Sequence, residues 1–139
     1  MKDYQVFSTT ADVGITVRGK TFRQLYRNAV AGFYVLVSGR ENIHDPEMSS
    51  DCLSFEYRGD SCENVLVNLL TELIFLLYTR NRVVPTLKIR GAGRTFLKAG
   101  LVSYLLDQDP RVEIKSVTYH NLKVKQDGAF KSVSVVFDI

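Results

Sequence analysis

Histidine and cysteine each occur only twice in this sequence, and proline three times. The cysteines, Cys52 and Cys62, fit neither a Cys-x-x-Cys pair nor a four-ligand zinc pattern, and one pair is no disulfide framework, so both read as reduced thiols. His44 and His120 have no spacing that would make them a ligand pair. His44, in "NIHDPE", reads as a solvated loop residue, and His120 as a hydrogen-bonded, partly buried side chain. Neither a Ser-His-Asp nor a Cys-His set can be assembled from spacing. The stretch "RGAGR" at 90–94 lacks the Lys-Ser/Thr of a phosphate-binding loop and the full dinucleotide fingerprint, and reads as a hairpin turn.

Two further features are missing. No apolar core follows the N-terminal "MKDYQVFSTTADVG", so nothing suggests a secretory signal. The longest apolar run, Val65 to Tyr78, is interrupted by Asn68, Thr71 and Glu72 and falls short of the ~20 residues of a membrane span. A soluble, cytoplasmic protein without membrane contact is the expectation. Eighteen Lys and Arg against fifteen Asp and Glu leave a net charge of +3, a mild excess that permits an acidic partner without requiring one.

What is present is an ordinary folded composition. Apolar residues make up 45% and charged residues 24% of 139, enough for one domain with a real core and incompatible with disorder. "YQVFSTTADVGITVRGK" predicts a strand, a turn at Thr10 to Asp12, and a second strand from Val13 to Arg18. Thr21 and Gln24 have capping-box spacing, and Phe22, Leu25, Tyr26, Ala29, Phe33 and Leu36 recur at helical intervals until Gly39. "ENIHDPEMSS" has no period and is a loop. "CLSFEYR" alternates as a half-buried strand. Asp60 and Glu63 repeat the capping-box spacing before "NVLVNLLTELIFLLYTR", a helix apolar almost all round and therefore central. Strands follow at Val83 to Arg90, Thr95 to Leu106, Val112 to Lys125 and Phe130 to Ile139, the first two joined by a Gly91-Ala92-Gly93 turn.

Helices and strands are segregated rather than alternating, which predicts an α+β fold. The expectation is a single domain over 1–139, with two main helices packed on a largely antiparallel or mixed β-sheet and a C-terminal β-hairpin. Asp127-Gly128 is the signal for that hairpin. As a two-residue loop it would set Val117 opposite Asp138. Lys115, Val117, Tyr119 and Asn121 would then share a face with Asp138, Val136, Ser134 and Ser132, leaving Thr118, His120, Leu122, Val124, Val133, Val135 and Phe137 toward the core.

The chemistry-bearing residues that remain are acidic: Asp12 in "TADVG", and Asp138 beside the α-carboxylate of Ile139. By spacing alone these read as a turn aspartate and an exposed chain end rather than as a site. Lys88, Arg90, Arg94 and Lys98 fit either a solvated face or an edge that touches RNA phosphates.

Thr10-Ala11-Asp12-Val13-Gly14, Val117-Thr118-Tyr119-His120 and the closing Phe137-Asp138-Ile139, in that order across the chain, resemble archease, a family of accessory factors to the RNA-splicing ligase of the RtcB type. Three departures accompany the match. Thr9 stands where the family usually has histidine, tryptophans usual in the second helix and last strand are absent, and "KAGLVSYLLDQDP" replaces a Gly-Glu loop. The resemblance implies a protein cofactor, not an enzyme, that promotes ligase guanylylation and multiple turnover in tRNA splicing and RNA repair, with tRNA or other RNA within the complex. It also implies a metal-binding cluster of Asp12, Asp138 and the main-chain carboxylate of Ile139. Carboxylate oxygens suit Ca²⁺ or Mg²⁺. Three carboxylates within ~4 Å would repel by about 4 kcal/mol per pair at an effective dielectric near ~20, so a cation, or Lys115 as counter-charge, must offset them. A metal-dependent phosphohydrolase using the same acids and a small RNA-binding module are the alternative readings.

Overall fold

The computed structural model describes residues 3–10, 12–40 and 50–139. The loop expected at 41–49, with His44, lies outside the described residues. Strand formation begins where valine and isoleucine alternate with small or polar residues. β1 (Tyr4–Ser8) and β2 (Val13–Gly19) form an antiparallel hairpin with Ser8 opposite Val13. On β2, Val13, Ile15 and Val17 are buried while Thr16 and Arg18 are only partly covered, the period of two that a one-faced strand requires.

Helix α1 (Phe22–Ser38) starts at Thr21, whose hydroxyl accepts from the Gln24 N–H, while the Gln24 amide oxygen accepts from the Lys20 N–H. The expected cap is therefore present and satisfies two otherwise orphaned donors. The helix stops at Gly39, which takes a left-handed φ of 72° and donates its N–H to Val35 O. Gly39 suits this position because a side chain there would be strained.

β3 (Asp51–Arg58) leads into α2 (Cys62–Arg80). The cap of α2 is displaced by one residue from the sequence expectation: Ser61, not Asp60, is the N-cap, accepting from Asn64 N–H, and Asn64 Oδ1 accepts from Asp60 N–H. Serine and asparagine reproduce the capping-box geometry, so Glu63 is left free to reach elsewhere. By length and composition alone α2 could cross a membrane, contrary to the sequence estimate, but half of that span is packed inside the protein. Leu66, Leu69 and Leu70 are fully buried.

β4 (Arg82–Ala92) and β5 (Phe96–Leu105) pair antiparallel, and β3 joins the other side of β5, giving a three-stranded sheet in the order β3-β5-β4. Ladder pairing runs through Gly91 and Ala92, with a register shift after Ile89, so the turn lies at 93–95, later than expected. The remaining strands form a second, five-stranded sheet in which β8 (Phe130–Asp138) lies between β2 and the short β6 (Ser116–Val117) and β7 (Lys125–Asp127). All pairings are antiparallel. The α+β class with two helices on antiparallel strands is thus observed, but as two sheets rather than one. Helix α1 packs against β2 of one sheet and β4 of the other, and one continuous apolar cluster joins both.

The C-terminal hairpin is present with a different loop. Asp127 pairs with Phe130, so the loop is Gly128-Ala129, and Gly128 has φ 61°. A positive φ at the first loop position is the type II′ pattern, which glycine supplies at little cost. The strand expected from Val112 to Lys125 is interrupted: between β6 and β7 the chain leaves the ladder, Leu122 N–H bonds back to Tyr119 O, and Asn121 sits at φ 54°. In the β6–β8 pairing, Ser116 lies opposite Asp138 and Val117 opposite Phe137. Val117 therefore packs toward the core instead of sharing the Asp138 face. A shift of one residue exchanges faces.

Candidate functional site at the end of the five-stranded sheet

Because β2 and β8 alternate, the five-stranded sheet has a greasy side and a polar side. Val13, Ile15, Val17, Val133, Val135 and Phe137 point into the core. The opposite side carries Thr16 and Arg18 on β2, facing Ser134 and Ser132 on β8. The β2–β8 ladder ends with Val13 opposite Phe137, so Asp12 and Asp138 are the residues next to its last pair, one on each strand. On the β1 side Thr9 N–H donates to Asp12 O at 2.8 Å, one step beyond the Ser8–Val13 pair. The two aspartates, separated by nearly the whole sequence, therefore lie at the same sheet end.

Both are exposed. Asp12 is held through its backbone: its N–H donates to Thr9 Oγ1 at 3.1 Å, and Thr9 Oγ1 in turn reaches Asp12 O at 3.2 Å. Thr9, which stands in place of an expected histidine, thus closes the loop before Asp12. Asp138 is held from the other edge. Ser116 Oγ donates to Asp138 Oδ2 at 3.1 Å, and Lys115 N–H donates to Asp138 O at 2.8 Å. Ser116 occupies the cross-strand position facing Asp138, so nothing in the register sets the Lys115 side chain on that face; its backbone makes the contact. Ile139 follows, 41% exposed, with its main chain beyond the last ladder pair.

Sequence reasoning missed Ser116 and Thr9. Ser116 becomes visible only with the Gly128-Ala129 loop and the break in the long strand. Thr9 carries the ordinary signal of a hydroxyl three residues before an aspartate in a tight turn.

The side-chain groups that reach this end are oxygens: the Asp12 and Asp138 carboxylates and the Ser116 hydroxyl. That chemistry fits a hard divalent cation retaining several waters and does not fit zinc. Among the described residues no group of three His, Cys, Asp or Glu side chains gathers at one place.

The other sequence candidates lie elsewhere. His120 is exposed, not partly buried, and its Nε2 is 3.2 Å from the Asn121 amide nitrogen. Lys88 and Lys98 are exposed on the three-stranded sheet, where Lys98 faces Glu56 across the β3–β5 ladder. Cys52 and Cys62 are free thiols. Cys62 is buried against Tyr26, and loss of solvation pushes its thiol up to about 11, which keeps it protonated and unreactive at neutral pH. Burial also raises the Tyr26 phenol, with Cys62 adding to the effect, and Tyr26 donates to Gly93 O at 2.6 Å.

Known proteins share this framework. The model of the Archease protein family (MTH1598/TM1083) matches residues 4–139. Protein archease of Thermoplasma volcanium is 28% identical over 142 aligned positions, covering 98% of each chain. Protein archease of Pyrococcus furiosus is 26% identical, over 91% of this chain and 90% of its own. Among solved structures, protein 1598 of Methanobacterium thermoautotrophicum superposes with a TM-score of 0.70 at 20% identity over the whole of both chains. The Thermotoga maritima protein described as an archease and possible chaperone gives 0.66 at 21%, over 97% and 96%. At those identities the structural likeness establishes the fold alone.

Proposed function

The chain belongs to the archease family, and from that premise we propose that it is a protein cofactor of an RtcB-type RNA ligase, promoting guanylylation of the ligase and repeated turnover in tRNA splicing and RNA repair. The observation that supports this reading is that Asp12 and Asp138 flank the last β2–β8 pair at one exposed sheet end. Among the described residues no histidine or cysteine accompanies the two acids, which suits them to holding a charge rather than breaking a bond. An exposed acidic tip can enter a partner's active site, whereas a catalytic cleft would have to enclose its substrate.

In this reading Asp12, Asp138 and the carboxylate of Ile139 would hold a Ca²⁺ or Mg²⁺ ion, whose bound form supplies positive charge where phosphate oxygens gather. Thr9 fixes the backbone of Asp12, and Ser116 orients one oxygen of Asp138 so that the other stays available. The protein would work in the cytoplasm, with tRNA or other RNA bound in the ligase complex.

The test is ligase guanylylation and ligation followed with a substoichiometric amount of this protein. Multiple ligations per ligase are expected, and Asp138→Asn should abolish them. An effect that saturates at one-to-one and never exceeds one ligation per ligase would overturn the proposal. Hydrolysis of nucleotide or phosphoester by this protein alone, with metal, would favour the phosphohydrolase instead.

A further inference from the structure

The polar side of the five-stranded sheet continues away from the acidic end as a series of cross-strand rows. The next polar row is Thr16 facing Ser134, whose hydroxyl oxygens are 3.0 Å apart. Beyond it Ser132 is flanked by Arg18 on β2 and Lys125 on β7. At the far rim Arg18 and Lys20 both lie over the Phe130 ring, at 4.4 and 5.7 Å from its centre. Where the chain leaves the ladder between β6 and β7 it leaves a cavity of about 210 Å³ over these rows. Thr16, Ser132, Ser134, Asn121, Lys123 and Lys125 line it, with Val133 as the apolar member. It thus presents two ammonium groups, three hydroxyls and an amide, and no acid.

Among the described residues nothing neutralises these lysines. Lys20, Lys123 and Lys125 take part in no ion pair there, where the pairs are Arg40 with Asp107 and Arg82 with Asp51. The acids nearest this surface in the ladder are Asp3, whose carbonyl accepts from the Arg18 N–H on the β1 side, Asp127, facing Phe130 at the rim, and Asp12 and Asp138 at the opposite end.

We propose that this sheet face is a binding track for one strand of RNA, with a phosphate and its ribose seated in the Thr16–Ser134–Lys125 cavity and the chain running toward the Asp12–Asp138 end. Lysines supply the charge that draws the backbone. The hydroxyls and the Asn121 amide both donate and accept, which matches a ribose 2′-hydroxyl and is left unused by deoxyribose. At the rim Phe130, with Arg18 and Lys20 over its ring, supplies an aromatic and cationic surface for an unpaired base, a group that a duplex does not present. Rows on one face of a strand repeat every ~7 Å, a step that an extended nucleotide chain can follow. An acidic peptide would satisfy the lysines but would have no use for the hydroxyl row. The inference concerns direct RNA binding and does not rest on the ligase reading.

The experiment is fluorescence anisotropy of labelled oligouridylate with the isolated protein, across a salt series. Binding should weaken steeply with salt, and matched oligodeoxyuridylate and double-stranded RNA should bind several-fold less tightly. The Lys123→Glu/Lys125→Glu double variant should weaken RNA binding at least tenfold, and its salt dependence should become shallower by about 0.7 in log–log slope for each phosphate it no longer neutralises. Lys88→Glu/Lys98→Glu, on the other sheet, should bind as the parent does. Amide shifts of Thr16, Asn121 and Ser134 should move on titration with RNA. The proposal is overturned if the parent shows no RNA affinity, if the two double variants lose affinity equally, if DNA binds as well as RNA, or if polyglutamate displaces RNA stoichiometrically.

Discussion

Replacing Gly14 by alanine tests the architecture of the acidic end most directly. Gly14 lies on β2 between Asp12 and Thr16, on the polar side, opposite Val136 and covered by the ring of Phe7 on β1. An added Cβ would fall 2.8 Å from Phe7 Cε2 and closer still to Phe7 Cζ and to the carbonyl oxygen of Val135. The ring can swing away; the carbonyl belongs to β8 and cannot move without opening the β2–β8 ladder. Overpacking of this kind costs roughly 1–3 kcal/mol, and the backbone contact puts Gly14→Ala near the upper end. For a chain of this size that is a fall in Tm of about 6–12 °C. The opening would occur two residues from Asp12, so ligase stimulation should fall by more than the loss of folded protein explains. Calorimetry and the ligation assay, run at a temperature where the variant is fully folded, separate the two effects. Adding Phe7→Ala should recover only part of the lost stability, because Val135 O stays in place. A Tm within ~2 °C of the parent, a margin worth about 0.5 kcal/mol, or full rescue by Phe7→Ala, would show that the ladder does not hold Asp12 against β8 as described.

Asp12→Asn and Asp138→Asn should leave the melting temperature nearly unchanged, since both side chains are exposed, while metal affinity by calorimetry and ligase stimulation are lost; a large drop in Tm with intact stimulation would make the acids structural. Amidating Ile139 or adding a short C-terminal tag should have the same effect as Asp138→Asn, whereas Ile139→Val should do little in either assay. Ser61→Ala removes the hydroxyl that caps α2 and should cost about 1 kcal/mol, read as a shift of the denaturation midpoint without a change in slope. Cys62 has a folded-state pKa raised to about 11 from 9.0, so its contribution to stability is complete below pH 9 and lost as pH rises toward 11. Melting temperature should therefore fall across that alkaline window, and Tyr26→Phe, which removes a second group shifted the same way, should make the fall shallower. Thiol labelling at pH 8 should modify the exposed Cys52 and spare Cys62.

The helices and their order were legible because their signals are local. The Thr21 hydroxyl, the 3.6-residue apolar spacing and Gly39 each act within a turn or two of chain. The cap of α2 is ambiguous by one residue because Asp60 and Ser61 are both good caps, and only the position of Asn64 decides between them. The C-terminal half was harder to read. Asp127-Gly128 is a good loop by composition, yet Gly128-Ala129 satisfies the same glycine requirement and lets Asp127 pair with Phe130. Alternating residues from Val112 to Lys125 likewise gave no hint that Asn121 would turn the chain out of the ladder at φ 54°. Asp12 and Asp138 could be named from the resemblance, but their placement at one sheet end depends on a register between strands at opposite ends of the sequence. Ser116 stayed hidden for the same reason as Lys115 was misassigned: both depend on which residue of β6 meets Asp138.

The central place of β8 bears on how the protein comes into being. A chain emerges from synthesis N-terminus first, so β1 and β2 exist long before the strand that must fill the gap beside them; Thr16 and Ser134, in contact when folded, are 118 residues apart. Until β8 arrives, one edge of β2 has no partner, which is the condition under which strands pair with the wrong chain. The three-stranded sheet with α2 has all its strands in hand earlier. A protein interrupted late in translation would carry that finished half and an open β2 edge, and would possess neither the acidic tip nor the hydroxyl row. Asp12 thus gains Asp138 as a neighbour on the adjoining strand only when β8 has docked.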